Sequence, residues 1–358
     1  MFISALGAIT GKDNRLALKK VRSACVVLVD GLGSENLRKA AGHAPFLNSM
    51  LTGTKSINTV FPSTTAAAIT SFGTSLSPSG HGILGYQVFD RQSEGVVNML
   101  SGWNADVVPE MWQPNETVAE RAKSLGIACF AIGPGEYADS GFTRLNMRGA
   151  DYLPARSYDE RVATAANQLK SKQRSLSYLY FPELDQAAHA FGVGSTQWLT
   201  KLEDLDAAIK SMASHLPGDC GMLLTADHGI VDVQPEGQIM LDELEIEGLV
   251  SVGGDPRCNF LYFSDPDAAN AAQDLLAANL EGRVIVATPE DLKAAGWYDS
   301  ASIANADKLP DLILISLEGF ACYHRGFCKP QSLRMIGQHG GISQSELQVP
   351  LLRFGGFA

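Results

Sequence analysis

The chain lacks any run long and apolar enough to form a bilayer-spanning helix, so no membrane is expected among its partners. It is short of positive charge: 28 Lys and Arg stand against 39 Asp and Glu, a net charge of −11. An acidic surface repels nucleic-acid backbones and argues against a nucleic-acid duplex as partner. A small phosphate substrate stays compatible with it where metal ions supply local positive charge. The six cysteines, at 25, 129, 220, 258, 322 and 328, show neither CxxC nor zinc-finger spacing. Cys25, Cys129 and Cys220 lie in apolar runs and read as small core residues, which points to a reducing compartment. Cys322 and Cys328 are the pair considered for a disulfide, with free thiols the expectation. Residues Met1 to Thr10 show neither a basic region before their apolar residues nor a cleavage signal, and the expected location is cytoplasmic. Internal repeats and low-complexity tracts are absent too.

What is present suits a large soluble α/β domain: 358 residues, 45% hydrophobic and 19% charged. Ala24 to Val29 reads as a strand buried on both faces, and it ends on Asp30-Gly31. Ser34, Glu35 and Leu37 then open a helix. After Phe61-Pro62, the alanines from Ala66 onward place Ser63, Thr64 and Thr65 at a helix N-terminus, where unpaired N–H groups favour an anion. One hydroxyl can cap that helix, which leaves another free as a nucleophile. His81, in the turn-rich loop that follows, is expected to make a structural hydrogen bond. Tyr86 to Leu100 reads as a hairpin on the rim of the sheet. A helix over Thr117–Leu125 closed by Gly126, a strand over Ile127–Ile132, a helix over Asp159–Leu169 and a strand over Leu176–Phe181 come next.

Asp185 and His189 are four apart, so one helical turn puts them on one face. That spacing suits a shared metal ion, and equally a surface ion pair. Trp198 to His215 is an amphipathic core helix with His215 at its end. Gly221 to Thr225 is a buried strand ending in Ala226-Asp227-His228-Gly229, a metal-site arrangement or simply a solvated turn. Residues 236–310 form a small α+β unit within one domain spanning 1–358, in which Val250–Phe263, Asp267–Leu280 and Val284–Trp297 read as strand–helix–strand–helix. A strand over Leu309–Ser316 follows it. Near the C-terminus His339 is flanked by Gly337, Gly340 and Gly341, with little reason to be a packed core residue.

Three strand ends and one glycine-flanked loop thus carry Asp30, Asp185, His189, Asp227, His228 and His339, with a hydroxyl at Ser63–Thr65. Three carboxylates in one crevice repel one another unless cations hold them, and three Asp with three His can ligate two divalent ions.

In its ordered motifs the chain resembles the type I phosphodiesterase/nucleotide pyrophosphatase family of the alkaline phosphatase superfamily. These are Val29-Asp30-Gly31, Phe61-Pro62 with its threonine, Ser79-Gly80-His81-Gly82, Asp185-Gln186-Ala187-Ala188-His189, Thr225-Ala226-Asp227-His228-Gly229 and Gln338-His339-Gly340. The resemblance implies an alkaline phosphatase-like three-layer sandwich, with a mostly parallel central sheet flanked by helices. It further implies two divalent ions, zinc first and manganese as the alternative. Asp185, His189 and His339 would hold one ion, and Asp30, Asp227 and His228 the other, beside a nucleophilic Thr65. The implied reaction is hydrolysis of a small phosphodiester or phosphoanhydride, a nucleotide among the candidates, through a phospho-threonine. Ala68 stands where the family carries an asparagine three residues beyond the nucleophile, which leaves the substrate open. Phosphomonoesterase, phosphonate hydrolase and phosphomutase activities share this metal core, and a non-catalytic metal-stabilised binding protein is the reading of another class. A sulfatase is set aside, because Cys328 and Pro330 are followed by Ser332 where an arginine is needed.

Overall fold

The computed structural model describes residues 1–51, 56–104, 107–298 and 303–358. Helices and strands follow one another as α1 (Phe2–Thr10), β1 (Ser23–Val29), α2 (Thr65–Thr74), α3 (Val118–Ser124), β2 (Ala128–Gly133), α4 (Gly141–Met147), β3 (Asp151–Pro154), α5 (Tyr158–Lys170), β4 (Ser175–Phe181), α6 (Glu183–Phe191), α7 (Thr196–Ser214) and β5 (Cys220–Thr225). A second group comprises β6 (Leu249–Asp255), β7 (Cys258–Phe263), α8 (Pro266–Asn279), β8 (Val284–Ala287), α9 (Pro289–Ala294) and β9 (Leu312–Ser316), and β10 (Leu352–Gly355) comes last. Several helices begin where the sequence supplies a hydroxyl. Thr117, Ser157 and Ser195 each accept a first-turn N–H, and Thr117 with Glu120 completes a capping box.

The main sheet runs β10-β5-β1-β4-β2-β3, parallel except for the edge strand β10. Strand periodicity divides β1 between two cores. Cys25, Val27 and Val29 face a layer holding Val162 and Leu169 of α5 and Trp198, Leu202 and Ile209 of α7. Ala24, Val26 and Leu28 face Phe2 and Leu6 of α1, Ile69 and Phe72 of α2 and Ala122 of α3. Each large apolar side chain buried in these layers stabilises the fold by about 1.5–3 kcal/mol, before conformational entropy is set against it. The result is a three-layer α/β sandwich. From β1 the chain passes to β2 and β3, then returns to β4 on one side of β1 and β5 on the other. The crevice beyond the carboxyl ends of β1, β4 and β5 is therefore a topological switch point.

The second sheet is antiparallel, in the order β6-β7-β9-β8. One face packs Leu261, Leu312 and Leu314 under Ala272 and Leu276 of α8. The other turns Phe260, Tyr262 and Ile315 towards Phe61, Leu84 and Phe89, the segments flanking α2. Strand β9 is bonded within this sheet, beyond residue 310. Two readings change. Val250–Phe263 is not one strand but the β6–β7 hairpin, with Asp255 paired to Cys258 across its turn, because Gly254 (φ +75°) and Pro256 bend the chain there. The expected hairpin exists, Gln87–Asp90 against Gly95–Asn98, but it leans on the second sheet, with Phe89 and Tyr262 ring centroids 5.3 Å apart.

Candidate active site

Asp30 follows β1, and its N–H extends the ladder by donating to the Phe181 carbonyl at 2.9 Å. Asp227 and His228 follow β5. One Asp227 oxygen accepts from the Gly31 N–H at 3.2 Å and the His228 N–H at 3.0 Å, tying two strand ends together. A Cβ on Gly229 would lie 1.9 Å from the Ser345 carbonyl, so this glycine serves a close approach of two backbones rather than a ligand. Asp185 and His189 share a face of α6, paired at 3.2 Å, and they face the crevice rather than the outer surface. His339 is delivered by the short Gly337–Gln338 strand, which pairs with Val231–Asp232, and by a bridge from Gly340 to Ser63.

The three hydroxyls part company. Ser63 Oγ donates to the Gly341 carbonyl at 2.7 Å and is structural. Thr64 occupies the N-cap position of α2 without a side-chain cap bond, and its hydroxyl is buried and unpartnered. Thr65 is the first residue of α2, with Oγ1 3.1 Å from His228 Nε2. The first-turn N–H groups of α2, which a helix cannot satisfy internally, thus remain for an anion beside Thr65. His81 holds Ser71 Oγ at 2.9 Å and the Ile83 N–H at 3.1 Å, the structural role expected of it.

His228 Nε2 lies 3.3 Å from Asp30 Oδ1 and 3.6 Å from Asp227 Oδ2. The ligand atoms of Asp30, Asp227 and His228 lie within 4.8 Å of one another, as do those of Asp185, His228 and His339. His189 joins the second group through Asp185, and the His228 and His339 rings stack at 3.7 Å. All three imidazoles turn Nδ1 to a backbone carbonyl: His189 to Gly337 at 2.7 Å, His228 to Gly229 at 3.1 Å and His339 to Ser63 at 3.1 Å. A carbonyl requires the proton on Nδ1, so Nε2 is the ligating atom of each neutral imidazole. At His189, against the effect of burial, the Asp185 carboxylate favours the protonated ring, and a cation would displace that Nε2 proton. Asp30 Oδ1, Asp185 Oδ1 and Asp227 Oδ2 are buried with no donor at all.

The electrostatics agree with that donor set. Burial, then the charges of Asp227 and Asp185, push Asp30 well above the usual carboxylate range. Burial likewise raises Asp227, against the pull of His228. Burial opposes ionisation of Asp185, but its pairing with His189 prevails and holds it low. Burial and the neighbouring His228 keep His339 neutral, the form that ligates. Orphaned carboxylate oxygens facing imidazole lone pairs fit divalent cations with mixed N/O ligation.

The site opens into a cavity of about 370 Å³ that Asp30, Thr65, Asp185, His189 and His339 border. Beyond them its wall is mixed: the rings of Tyr86, Tyr137, Phe142, Tyr152, Tyr178 and Tyr180 alternate with polar side chains such as Ser140, Asn146 and Asp255. Some of its residues left no trace in the reading of the sequence. Tyr180 donates its hydroxyl to Asp30 Oδ2, and the signal available was the two-residue spacing of Tyr178 and Tyr180 along β4. Asp255, at the tip of the β6–β7 turn, and Asn146 of α4 carried none.

A model of the type I phosphodiesterase/nucleotide pyrophosphatase family matches residues 24–342. The chain belongs to this family. It is accordingly a hydrolase acting on phosphoric ester bonds, in a family of metal-dependent enzymes. Its structure is similar to that of the mouse ectonucleotide pyrophosphatase/phosphodiesterase 5, an inactive form of which is solved in complex with AMP. That match has a TM-score of 0.74 at 18% identity and covers 93% of this chain and 88% of that one. The human counterpart superposes with a TM-score of 0.73, again at 18% identity, over 93% of this chain and 88% of its own. These likenesses confirm the alkaline phosphatase-like sandwich. No curated protein matches the chain in a sequence search.

Proposed function

We propose that this family member hydrolyses a small phosphodiester or phosphoanhydride, a nucleotide among them, through a covalent phospho-threonine at Thr65. The observation that carries the reading is the Thr65 hydroxyl at the N-terminus of α2, 3.1 Å from His228 Nε2 and beside orphaned carboxylate oxygens. Two divalent ions, zinc first and manganese as the alternative, would be held by Asp30, Asp227 and His228 and by Asp185, His189 and His339, supplying Lewis-acid charge that lowers the hydroxyl pKa and stabilises the leaving oxygen.

The chain's own groups do the rest. The first-turn N–H groups of α2 orient the phosphoryl oxygens. Thr65 Oγ1 attacks phosphorus, the bond to the leaving oxygen breaks, and that oxygen takes up a proton as the hydroxyl loses one. Water then adds to phosphorus, Thr65 departs with a proton, and the monoester is released. The aromatic cavity shields the phospho-threonine from side reactions, and AMP in the mouse relative supports a nucleotide-like ligand. Six free thiols, five of them buried, support the cytoplasm as the setting.

The test is turnover of bis-p-nitrophenyl phosphate and p-nitrophenyl phosphate by zinc-loaded protein, Thr65→Ala and Asp227→Ala. The expected result is diester turnover that a chelator abolishes, zinc restores, and both substitutions reduce by roughly 10³-fold or more. Monoester preference, or turnover indifferent to chelation, overturns the reading.

A further inference from the structure

The charges and hydrogen-bonding groups of the cavity restrict what fits beside the phosphorus. Among the described residues, no Lys or Arg lines it. The three ligand Asp carboxylates against two divalent ions would leave one formal positive charge, which a diester phosphate already neutralises, and Asp255 borders the cavity as a further acidic group. Any further negative charge on the substrate's retained arm would be buried against aromatic rings with no counter-charge, which is strongly unfavourable. The arm therefore carries no further negative charge.

It is not featureless. Asn146 borders the same cavity, is 2% exposed, and its Nδ2 has no hydrogen-bond partner. An unsatisfied buried amide donor is costly and calls for a reason. Its placement is enforced by packing on the nucleophile helix. A Cβ on Gly73 of α2 would lie 2.2 Å from the Asn146 carbonyl, so only glycine there lets α4 close onto α2. Ile69, one turn beyond Thr65 on α2, borders the cavity as well, so α2 presents both the attacking hydroxyl and the surface on which Asn146 rests.

We propose that Asn146 determines specificity by donating a hydrogen bond to an acceptor on a non-anionic retained arm of the phosphodiester substrate. The arm packs against the cavity's rings while its ester phosphorus sits at Thr65. This rests on the phosphodiester reading given above, and the experiment separates the two.

The probes are p-nitrophenyl diesters differing only in the retained arm: thymidine 5′-phosphate, with carbonyl acceptors; phenyl phosphate, without them; and thymidine 3′,5′-bisphosphate, with an added charge. The zinc-loaded full chain is expected to prefer the thymidyl over the phenyl ester in kcat/KM by roughly 5- to 100-fold, the range for one well-placed buried hydrogen bond. The 3′-phosphate is expected to lower kcat/KM by about tenfold or more. Asn146→Leu, which keeps the volume, and Asn146→Ser, which is small and polar, should both erase the thymidyl preference and leave phenyl ester turnover within about threefold. Wild-type turnover without a preference for the thymidyl arm overturns the inference alone. So does a fall in both esters together in the two variants, which would make Asn146 a packing residue. Absence of all diester turnover in the wild type removes the phosphodiester reading and this inference with it.

Discussion

Burial and the neighbouring Asp227 and Asp185 carboxylates raise the proton affinity of Asp30, while the Tyr180 hydroxyl, donating to Asp30 Oδ2, works the other way. A proton and a divalent cation compete for the same oxygens, so whatever stabilises the carboxylate favours the cation. Tyr180→Phe keeps the ring, whose centroid lies 5.9 Å from that of Tyr178, and removes only the donor. The folded-state pKa of Asp30 then rises, and protons displace metal at a higher pH than in the wild type. Competition with a zinc chelator should show a loss of roughly 10- to 100-fold in affinity at neutral pH, the usual cost of removing a group that orients a ligand. It should also show a binding midpoint shifted towards alkaline pH. Unchanged affinity would mean that Asp30 is not a ligand. The same residue shows the limit of reading at this scale. Asp30, Asp185 and His228 announce themselves by ending strands or repeating at helical spacing, whereas Tyr180 looks like any other aromatic in a buried strand.

Between elements, the second sheet and the loop carrying His339 meet through Arg257 and Glu346, both fully buried. The guanidinium grips Glu346 at 2.7 and 2.8 Å and also donates to the Leu317 and Phe320 carbonyls. Glu346 in turn accepts the Gly341 N–H at 2.8 Å and the Ser343 hydroxyl at 2.6 Å, fixing the chain just after His339. Glu346→Ala strands a buried guanidinium, so urea denaturation should register a loss of about 3–5 kcal/mol. A loss under about 1 kcal/mol would show that the pair does not clamp these elements. The elements themselves were largely legible. β1 and β5 are apolar runs that stop abruptly on Asp30 and on Asp227-His228, β4 is rich in leucine and aromatics, and α5 and α7 repeat at helical spacing behind Ser157 and Ser195. The β6–β7 hairpin was not read, although Gly253-Gly254-Asp255-Pro256 is a turn signal between its two strands. Nor was the membership of β9 in that sheet, since register between distant strands leaves no local pattern.

For the molecule as a whole, the second sheet shares a buried cluster with Phe61 and the loops around α2. One cooperative calorimetric transition is therefore expected for the chain. Its pH dependence follows from the site. Burial pushes Asp255 from 3.8 up to about 7, and Asp30 and Asp227 are raised for the same leading reason. An acid whose folded-state pKa exceeds its unfolded value binds more protons when folded. Its stabilising effect is complete at low pH and declines as pH rises through that interval, for Asp255 from about 4 to about 7. These carboxylates lower the melting temperature of metal-free protein as pH rises, while the buried neutral His81 and His339 work the other way below about pH 6.5, so the net fall is expected between pH 6.5 and pH 8. Cations bound at Asp30 and Asp227 would replace the protons there and favour the ionised carboxylates, and a ligand bound only by the folded chain stabilises it by RT ln(1 + [L]/Kd). The gap between zinc-loaded and chelator-treated melting temperatures should thus widen with pH, by about 1–3 °C for each raised carboxylate that contributes about 1–2 kcal/mol. Scanning calorimetry of both forms across the same buffers decides it. A gap that stays constant from pH 5 to pH 8 would show that protons and metal ions do not compete for these carboxylates, and that the cations bind elsewhere.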